Sequence, residues 1–269
     1  MNAADRRKPL GADGLRNALG THWRRLDLVT ETGSTNADLL ARAAAGEDIA
    51  GSVLLAEYQH AGRGRHGRRW SAPPRSQIAM SVGVGTGGVP LEAWGWLPLL
   101  TGVAVLDAVL EVSGIPARLK WPNDVVVGTG KLAGILAEVA APHPAVVVGL
   151  GLNVTLTVAE APDSAATSLS LLGAPDVDRN ALAGSILRAL GRRIQRWQAA
   201  GCADDLLVAD YRRHSLTLGA QVNASLPGDR EIVGVAHDVD ALGRLLIDDG
   251  TATQTVAAGD ITHLRPAAP

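Results

Sequence analysis

Gly62-Arg63-Gly64-Arg65-His66-Gly67-Arg68-Arg69-Trp70-Ser71-Ala72-Pro73-Pro74 is the stretch on which the fold turns. Its glycines spell G-x-G-x-x-G, the spacing of a dinucleotide-binding turn between a strand and a helix. A strand does precede it: Ser52 to Glu57 is a short apolar run. No helix can follow, because Pro73 and Pro74 lack a backbone donor and crowd the preceding turn. The doubly wound parallel sheet is therefore set aside. Read instead as an anion cradle, the glycines let backbone N–H groups approach a ligand. Arg63, Arg65, Arg68 and Arg69 add permanent charge with planar, bidentate donors. Trp70 offers a π-face or an apolar wall. The plainer reading of the same residues is a solvated Arg/Gly loop that adheres to RNA.

Working outward, residues 13–19 suit one short helix and Trp23–Thr30 a strand. Ser34–Gly46 reads as a helix with Thr35 as N-cap, Asp38 three residues on, and Gly46 as the stop. Gln77–Val84 is a strand, and Pro98 and Gly114 frame an apolar helix that should be buried. Short β-runs follow at Val125–Val127, Ile135–Val139 and Ala145–Val148, the first two joined through Gly128-Thr129-Gly130. Asp178 caps a long helix striped by Leu182, Ile186, Leu190, Ile194 and Trp197, and Asp204–Arg213 forms a shorter one. After His214, four or five short strands alternate with turns at Pro227-Gly228-Asp229, Asp240–Gly243 and Asp248-Asp249-Gly250, the texture of a small β-barrel. The expected class is α+β: an extension over 1–22, an α+β domain over 23–214 and an all-β domain over 215–269.

Composition narrows the function. The 269 residues are 46% hydrophobic and 19% charged, so a large core is possible and global disorder is excluded. Twenty-five Lys plus Arg against 27 Asp plus Glu give a net charge of −2, unlike a general nucleic-acid coat protein. One cysteine, Cys202, excludes a disulfide framework within the chain and suits a reducing cytoplasm; it reads as a small filler residue. The polar N-terminus is not a signal peptide, and the apolar stretch Trp94–Leu106 is too interrupted and short to span ~30 Å of hydrocarbon. Seven His without H-x-x-x-H spacing argue against a metal held by protein ligands alone. Six Trp, two Tyr and no Phe leave some Trp open to duties outside the core.

A second constellation is Lys120-Trp121-Pro122-Asn123-Asp124, and eleven residues after Lys120 comes Lys131-Leu132-Ala133-Gly134-Ile135-Leu136-Ala137-Glu138. The hairpin between them should bring Lys131 back toward Lys120, and two ammonium groups repel unless an anion lies between them. Flanking a surface turn is the alternative role for both. Trp121 reads as packing and His66 as exposed. Gly149-Leu150-Gly151-Leu152-Asn153 places two glycines in a strand, a sign of close approach by a ligand or another chain segment.

These segments together, GSTN at 33–36, QHAGRGRHGRRW at 59–70, KWPND at 120–124, KLAGILAE at 131–138 and GLGLN at 149–153, resemble the biotin protein ligases over roughly residues 25–260. The resemblance implies a catalytic domain related to class II aminoacyl-tRNA synthetases and a small SH3-like C-terminal domain. It implies ATP and magnesium as cofactors, biotin as substrate, a biotinyl-5′-AMP intermediate, and a biotin carboxyl carrier domain of acyl-CoA or pyruvate carboxylases as acceptor. Ser34, Thr35, Asn36 and Gln59 would meet the ureido ring; Gly62, Arg63, Gly64 and Arg65 would line the biotin site, with Gly134 leaving room for the bicycle. Arg65 and Lys131 would neutralise carboxylate and α-phosphate, Arg68 and Lys120 would assist at the phosphates, and Trp70, Asn123 and Asn153 would serve the nucleotide. Asp124 is the candidate magnesium ligand. Only about two dozen residues precede the catalytic domain, so DNA binding is not expected; membrane association is not expected either, and the oligomeric state stays open. Two rival readings are a lipoate–protein ligase and a non-catalytic RNA-binding module.

Overall fold

The computed structural model describes residues 7–142, 144–226, 230–257 and 260–263. Its larger sheet contains β1 (Arg25–Val29), β2 (Ser52–Ala56), β3 (Gln77–Gly85), β4 (Arg118–Lys120), β5 (Asp124–Val127), β6 (Gly130–Ala140) and β7 (Ala145–Asn153). Their order is β1-β2-β3-β7-β6-β5-β4. Only β1 and β2 run parallel, because a helix, α2 (Thr35–Ala44), crosses between them. The other pairs are antiparallel, as short turns such as Gly128-Thr129 require.

Period-two alternation along β7 decides which side of the sheet becomes a site. Val146, Val148, Leu150 and Leu152 enter the main core. Ala145 and Val147 pack in a smaller cluster with Leu39 and Ala43 of α2. Gly149, Gly151 and Asn153 continue that second face, where the two glycines leave room above the strand. On the main-core face lie α1 (Ala12–Ala18), α3 (Trp96–Ser113), α4 (Arg179–Ala200) and α5 (Asp205–His214). Asp178 and Asp204 cap α4 and α5 by accepting N–H bonds, each worth about 1 kcal/mol. Gly114 ends α3 in the left-handed conformation, φ 71°.

Two expectations need correction. The cap of α2 is Ser34, whose Oγ accepts from the Ala37 amide at 3.5 Å, not Thr35. The apolar stretch at α3 is also longer than expected, 23 residues over Leu91–Ser113, enough by length and composition to cross a bilayer. Most of it is buried inside the protein, which is why it is apolar nearly all round.

After Ser215 the chain forms an antiparallel sheet in the order β11-β10-β9-β8-β12, from β8 (Gln221–Leu226), β9 (Arg230–Val239), β10 (Leu245–Asp248), β11 (Thr253–Val256) and β12 (Asp260–His263). The turn expected at Pro227–Asp229 lies outside the described residues. This sheet is joined firmly to the larger one. The Leu216 amide donates to Leu119 O at 2.8 Å, and Trp96 and Trp121 indoles donate to Ala241 O and Gly243 O at 2.9 and 3.1 Å. Arg212 forks onto Asp238 with two 2.7 Å bonds. Burial raises Asp238, but the Arg212 bonds and charge outweigh it and hold the carboxyl below its ordinary value. So two of the six Trp are interface residues. Cys202, expected as filler, is exposed.

Candidate active site

A cavity of about 570 Å³ opens on the α2 face of the larger sheet, at the end where β7 carries Gly149, Gly151 and Asn153. Ser34, Thr35, Asn36, Gln59, Arg63, Gly64, Arg65, Arg68, Trp70, Lys120, Asn123, Asp124, Lys131, Gly134 and Asn153 all line it. Residues from distant parts of the chain therefore converge on one volume. Of the residues expected there, only Gly62 is absent. A Cβ on Gly62 would fall 2.4 Å from Trp70 O, so this glycine closes the loop by letting two backbones touch.

The floor of the cavity explains the strand glycines. Gly134 of β6 is paired with Gly151 of β7, and Gly151 with Ala79 of β3. Over this row of small residues lies the Trp70 indole: a Cβ at Gly151 would stand 2.3 Å from Trp70 Nε1, and one at Gly134 3.1 Å from Cζ3. Trp70 Nε1 donates to Gln77 Oε1 at 2.6 Å, and Lys131 Nζ stands 5.7 Å from the ring centroid, within cation–π range. Gly134 thus makes room for Trp70 while itself lining the cavity. On the next row, a Cβ at Gly149 would meet Asn36 Oδ1 at 2.2 Å. Gly151→Ala should therefore push the indole off its glycine bed, an overpacking cost of about 1–3 kcal/mol. Thermal melts of Gly151→Ala, Trp70→Ala and the double variant check this; the double variant should recover much of the lost stability.

One end of the cavity is neutral and hydrogen-bonding. Gln59 Oε1 accepts from the Thr35 amide at 2.8 Å and from its hydroxyl at 3.1 Å. Thr35 Oγ1 lies 2.6 Å from Ser81 Oγ, and Ser81 donates to Asn36 Oδ1 at 2.6 Å. Asn36 donates to Glu138 and to Leu136 O, and Glu138 in turn receives Arg63 Nη2 at 2.6 Å. Asn36 is thus a bridge between α2, β6 and the arginine loop, its amide largely engaged by protein groups. The loop itself is a small closed hairpin: the Trp70 amide donates to Gly62 O and the Gly64 amide to Arg68 O. His66 sits exposed at its tip with φ 54°.

The other end is cationic. Arg65, Arg68, Lys120 and Lys131 face the cavity, and Arg65 Nη1 donates to Asn123 Oδ1 at 3.3 Å. Asn123 donates to Ile135 O and its carbonyl accepts the Ile135 amide, which locks the turn after Lys120 onto β6. The hairpin does bring the two lysines to one cavity, and the anion beside them is Asp124: it is paired with Lys120 in the β4–β5 ladder and stands 2.7 Å from Lys131 Nζ. Asp124 thus compensates the Lys131 charge at the cationic end. Among the described residues no cluster of three or more His, Cys, Asp or Glu could hold a metal ion. Asn153 is buried and donates to Thr167 O at 2.9 Å, which ties the 162–166 wall to the sheet.

Several contributors were not legible beforehand. Gln77, Ser81 and Glu138 position Trp70, Thr35, Asn36 and Arg63; the available signal was polar residues alternating with apolar ones on β3 and β6. Pro162, Asp163, Ala165 and Ala166 form a wall, and Ile261 and Thr262 reach in from β12. Thr217 Oγ1 accepts the Trp121 amide at 3.0 Å and lies 3.1 Å from His263 Nε2. Burial, and then the Lys120 charge, push His263 below its ordinary value of 6.5, so it adds no positive charge at neutral pH.

The sequence matches the model of the biotin/lipoate A/B protein ligase family over residues 32–154 and that of the biotin protein ligase C-terminal domain over 217–264. It is 54% identical to the biotin–[acetyl-CoA-carboxylase] ligase of Mycobacterium tuberculosis, covering 98% of this chain and 100% of that one. In structure it is similar to the Aquifex aeolicus biotin protein ligase solved with biotin and ATP, at TM-score 0.76 and 26% identity over 91% of this chain and 100% of that one. It is also similar to the Leishmania major biotin protein ligase solved with biotinyl-5-AMP, at TM-score 0.59 and 25% identity over 90% and 99%.

Proposed function

Because the chain belongs to the biotin/lipoate A/B protein ligase family, we infer that it joins biotin to a lysine of a biotin carboxyl carrier domain at the expense of ATP. In the first step a biotin carboxylate oxygen attacks the α-phosphorus of ATP, giving biotinyl-5′-AMP and pyrophosphate. In the second the carrier's ε-amine attacks the acyl carbonyl, an amide forms, and AMP departs. The observation that carries this reading is one cavity with two unlike ends. A neutral network of Thr35, Asn36 and Gln59 suits a ureido ring, and a cluster of Arg65, Arg68, Lys120 and Lys131 suits an acyl phosphate. Carboxylate and phosphate repel as they approach, and fixed cations lower that barrier without reorganising. Orientation supplies the rest, with no covalent enzyme intermediate.

In this reading Ser34, Thr35, Gln59, Arg63 and the Gly62–Arg65 backbone take biotin, with Asn36 holding their frame. Arg65 and Lys131 neutralise the reacting anions, and Arg68 and Lys120 assist. Trp70 walls the adenylate, and Asn123 and Asn153 serve the nucleotide side. Magnesium is assigned to the phosphates of ATP rather than to the protein, since Asp124 already compensates Lys131. We further read residues 23–214 as a catalytic unit related to class II aminoacyl-tRNA synthetases. Residues 215–269 are read as an SH3-like unit, and the setting as the cytoplasm, with the carrier belonging to an acyl-CoA or pyruvate carboxylase.

Transfer of labelled biotin to a carrier domain, with ATP and magnesium, tests the function. Labelled lipoate in a parallel reaction separates the two branches of the family; transfer of lipoate and not biotin would overturn this reading. RNA binding without biotin-dependent ATP–pyrophosphate exchange would favour the Arg/Gly loop as an RNA module instead. Residues 62–70 should also be more protected with ligand, because four Arg in one short hairpin repel one another and three Gly make it costly to hold rigid, which a bound anion offsets. Amide exchange in that loop should slow on adding biotin and ATP; equal exchange with and without them would contradict this.

A further inference from the structure

Arg7 lies far from the cavity in sequence and outside its lining, yet its side chain is only 2% exposed. Its guanidinium makes three bonds to one segment: Nε to Thr155 Oγ1 at 3.0 Å, Nη2 to Thr155 O at 2.9 Å, and Nη2 to Glu160 Oε2 at 2.6 Å. Glu160 closes its own turn by accepting from the Thr157 amide and hydroxyl at 3.0 and 2.9 Å. Burial raises the Glu160 carboxyl, but the Arg7 and Thr157 bonds more than reverse this, so it is charged at neutral pH. The segment so gripped leaves β7 at Asn153 and runs directly into the cavity wall of Pro162, Asp163, Ala165 and Ala166. That wall is docked on the catalytic strand: the Lys131 amide donates to Ala165 O at 2.6 Å and the Thr167 amide to Lys131 O at 3.0 Å. Asn153 holds Thr167 O from the sheet.

A loop pinned at its cavity end by Lys131 and Asn153 still needs its outer turn fixed, and Arg7 supplies that fixing point through a planar fork no lysine can reproduce. Side-chain bonds to the neighbouring residues 8 and 10 fix the segment that carries Arg7. The Leu10 amide donates to Glu57 Oε1, and Arg179 bridges Glu57 Oε2 and Lys8 O. We propose that Arg7 is a positioning residue for the nucleotide side of the site, holding residues 155–166 so that their wall and the Lys131 strand keep one geometry. This rests on the ligase reading only for the identity of the nucleotide.

The test compares wild type with Arg7→Ala and Arg7→Lys. Amide exchange at residues 155–167 should quicken in Arg7→Ala while that at 77–81 stays unchanged. KM for ATP should rise about 10-fold in pyrophosphate exchange, as small misplacements remote from the reacting atoms do, with biotin affinity unaltered. Arg7→Lys, which keeps a charge near Glu160 but loses the fork to Thr155, should fall between. A folded Arg7→Ala with wild-type KM for ATP and wild-type exchange at 155–167 would overturn the proposal. So would a fall in kcat and melting temperature with KM unmoved, the signature of a merely structural residue. If Arg7→Ala fails to fold, Arg7→Lys decides by the same two readouts. Should the wild type lack biotin-dependent exchange of pyrophosphate altogether, the ligase reading fails, and the amide-exchange comparison still decides whether Arg7 holds the wall.

Discussion

Lys131→Ala lowers biotin-dependent ATP–pyrophosphate exchange by on the order of 10²–10³-fold, the loss that follows removal of one prepositioned donor from a transition-state charge. The geometry adds a second contribution. Lys131 Nζ stands 2.7 Å from Asp124, whose side chain is 21% exposed. Deleting the ammonium leaves that carboxylate uncompensated beside incoming phosphates, so the variant both loses a cation and unmasks an anion. Lys131→Ala with Asp124→Asn should therefore exchange pyrophosphate faster than Lys131→Ala alone. The backbone of residue 131 remains paired with Val126 and with Ala165 and Thr167, so the fold should hold. A melting temperature near wild type with exchange lost supports the chemical role. Unfolding of both variants would assign Lys131 to structure, and an equal rate in single and double variants would remove Asp124 from the account.

Arg65→Gly should weaken retention of biotinyl-5′-AMP on the order of 10²-fold. The loop holding Arg65 is closed by two backbone bonds, Trp70 to Gly62 and Gly64 to Arg68, and by the contact of Arg65 with Asn123. Glycine at 65 removes the cavity-facing charge and the Asn123 contact and raises the entropic cost of ordering the hairpin. The activated acyl phosphate then escapes, and bystander lysines should become biotinylated. Mass spectrometry of an unrelated lysine-rich protein added to the reaction reads this. Wild-type adenylate affinity with no stray labelling would count against the assignment.

How much of this was legible differs by kind of information. The α+β class, a strand before the arginine loop (expected over Ser52–Glu57, observed over Ser52–Ala56), and the caps Asp178 and Asp204 follow from short-range rules of spacing. Pro73-Pro74 correctly excluded a dinucleotide-binding helix. The cap of α2 was misplaced by one residue because Ser34 and Thr35 are both good capping types. What separates them is tertiary: Thr35 is called away by Gln59 and Ser81, leaving Ser34 to the helix. Cys202 looked like filler because small apolar residues usually are. Its place just past the end of α4 exposes it instead.

Arginines, lysines and glycines in named motifs marked the site, because close approach and fixed charge demand those residue types wherever they fall. The sequence by itself marked the residues that come to line one cavity and the strands that present alternating faces. Only the tertiary structure decided what each glycine makes room for: Gly134 and Gly151 admit Trp70, and Gly149 admits Asn36. It also decided that Asp124 answers Lys131, that the 162–166 wall docks on β6, and that Arg7 reaches Thr155 across some 148 residues of chain. These are pairings between segments whose separation along the chain carries no signal of contact. They are selected only when the whole sheet is assembled and each buried polar group must find a partner.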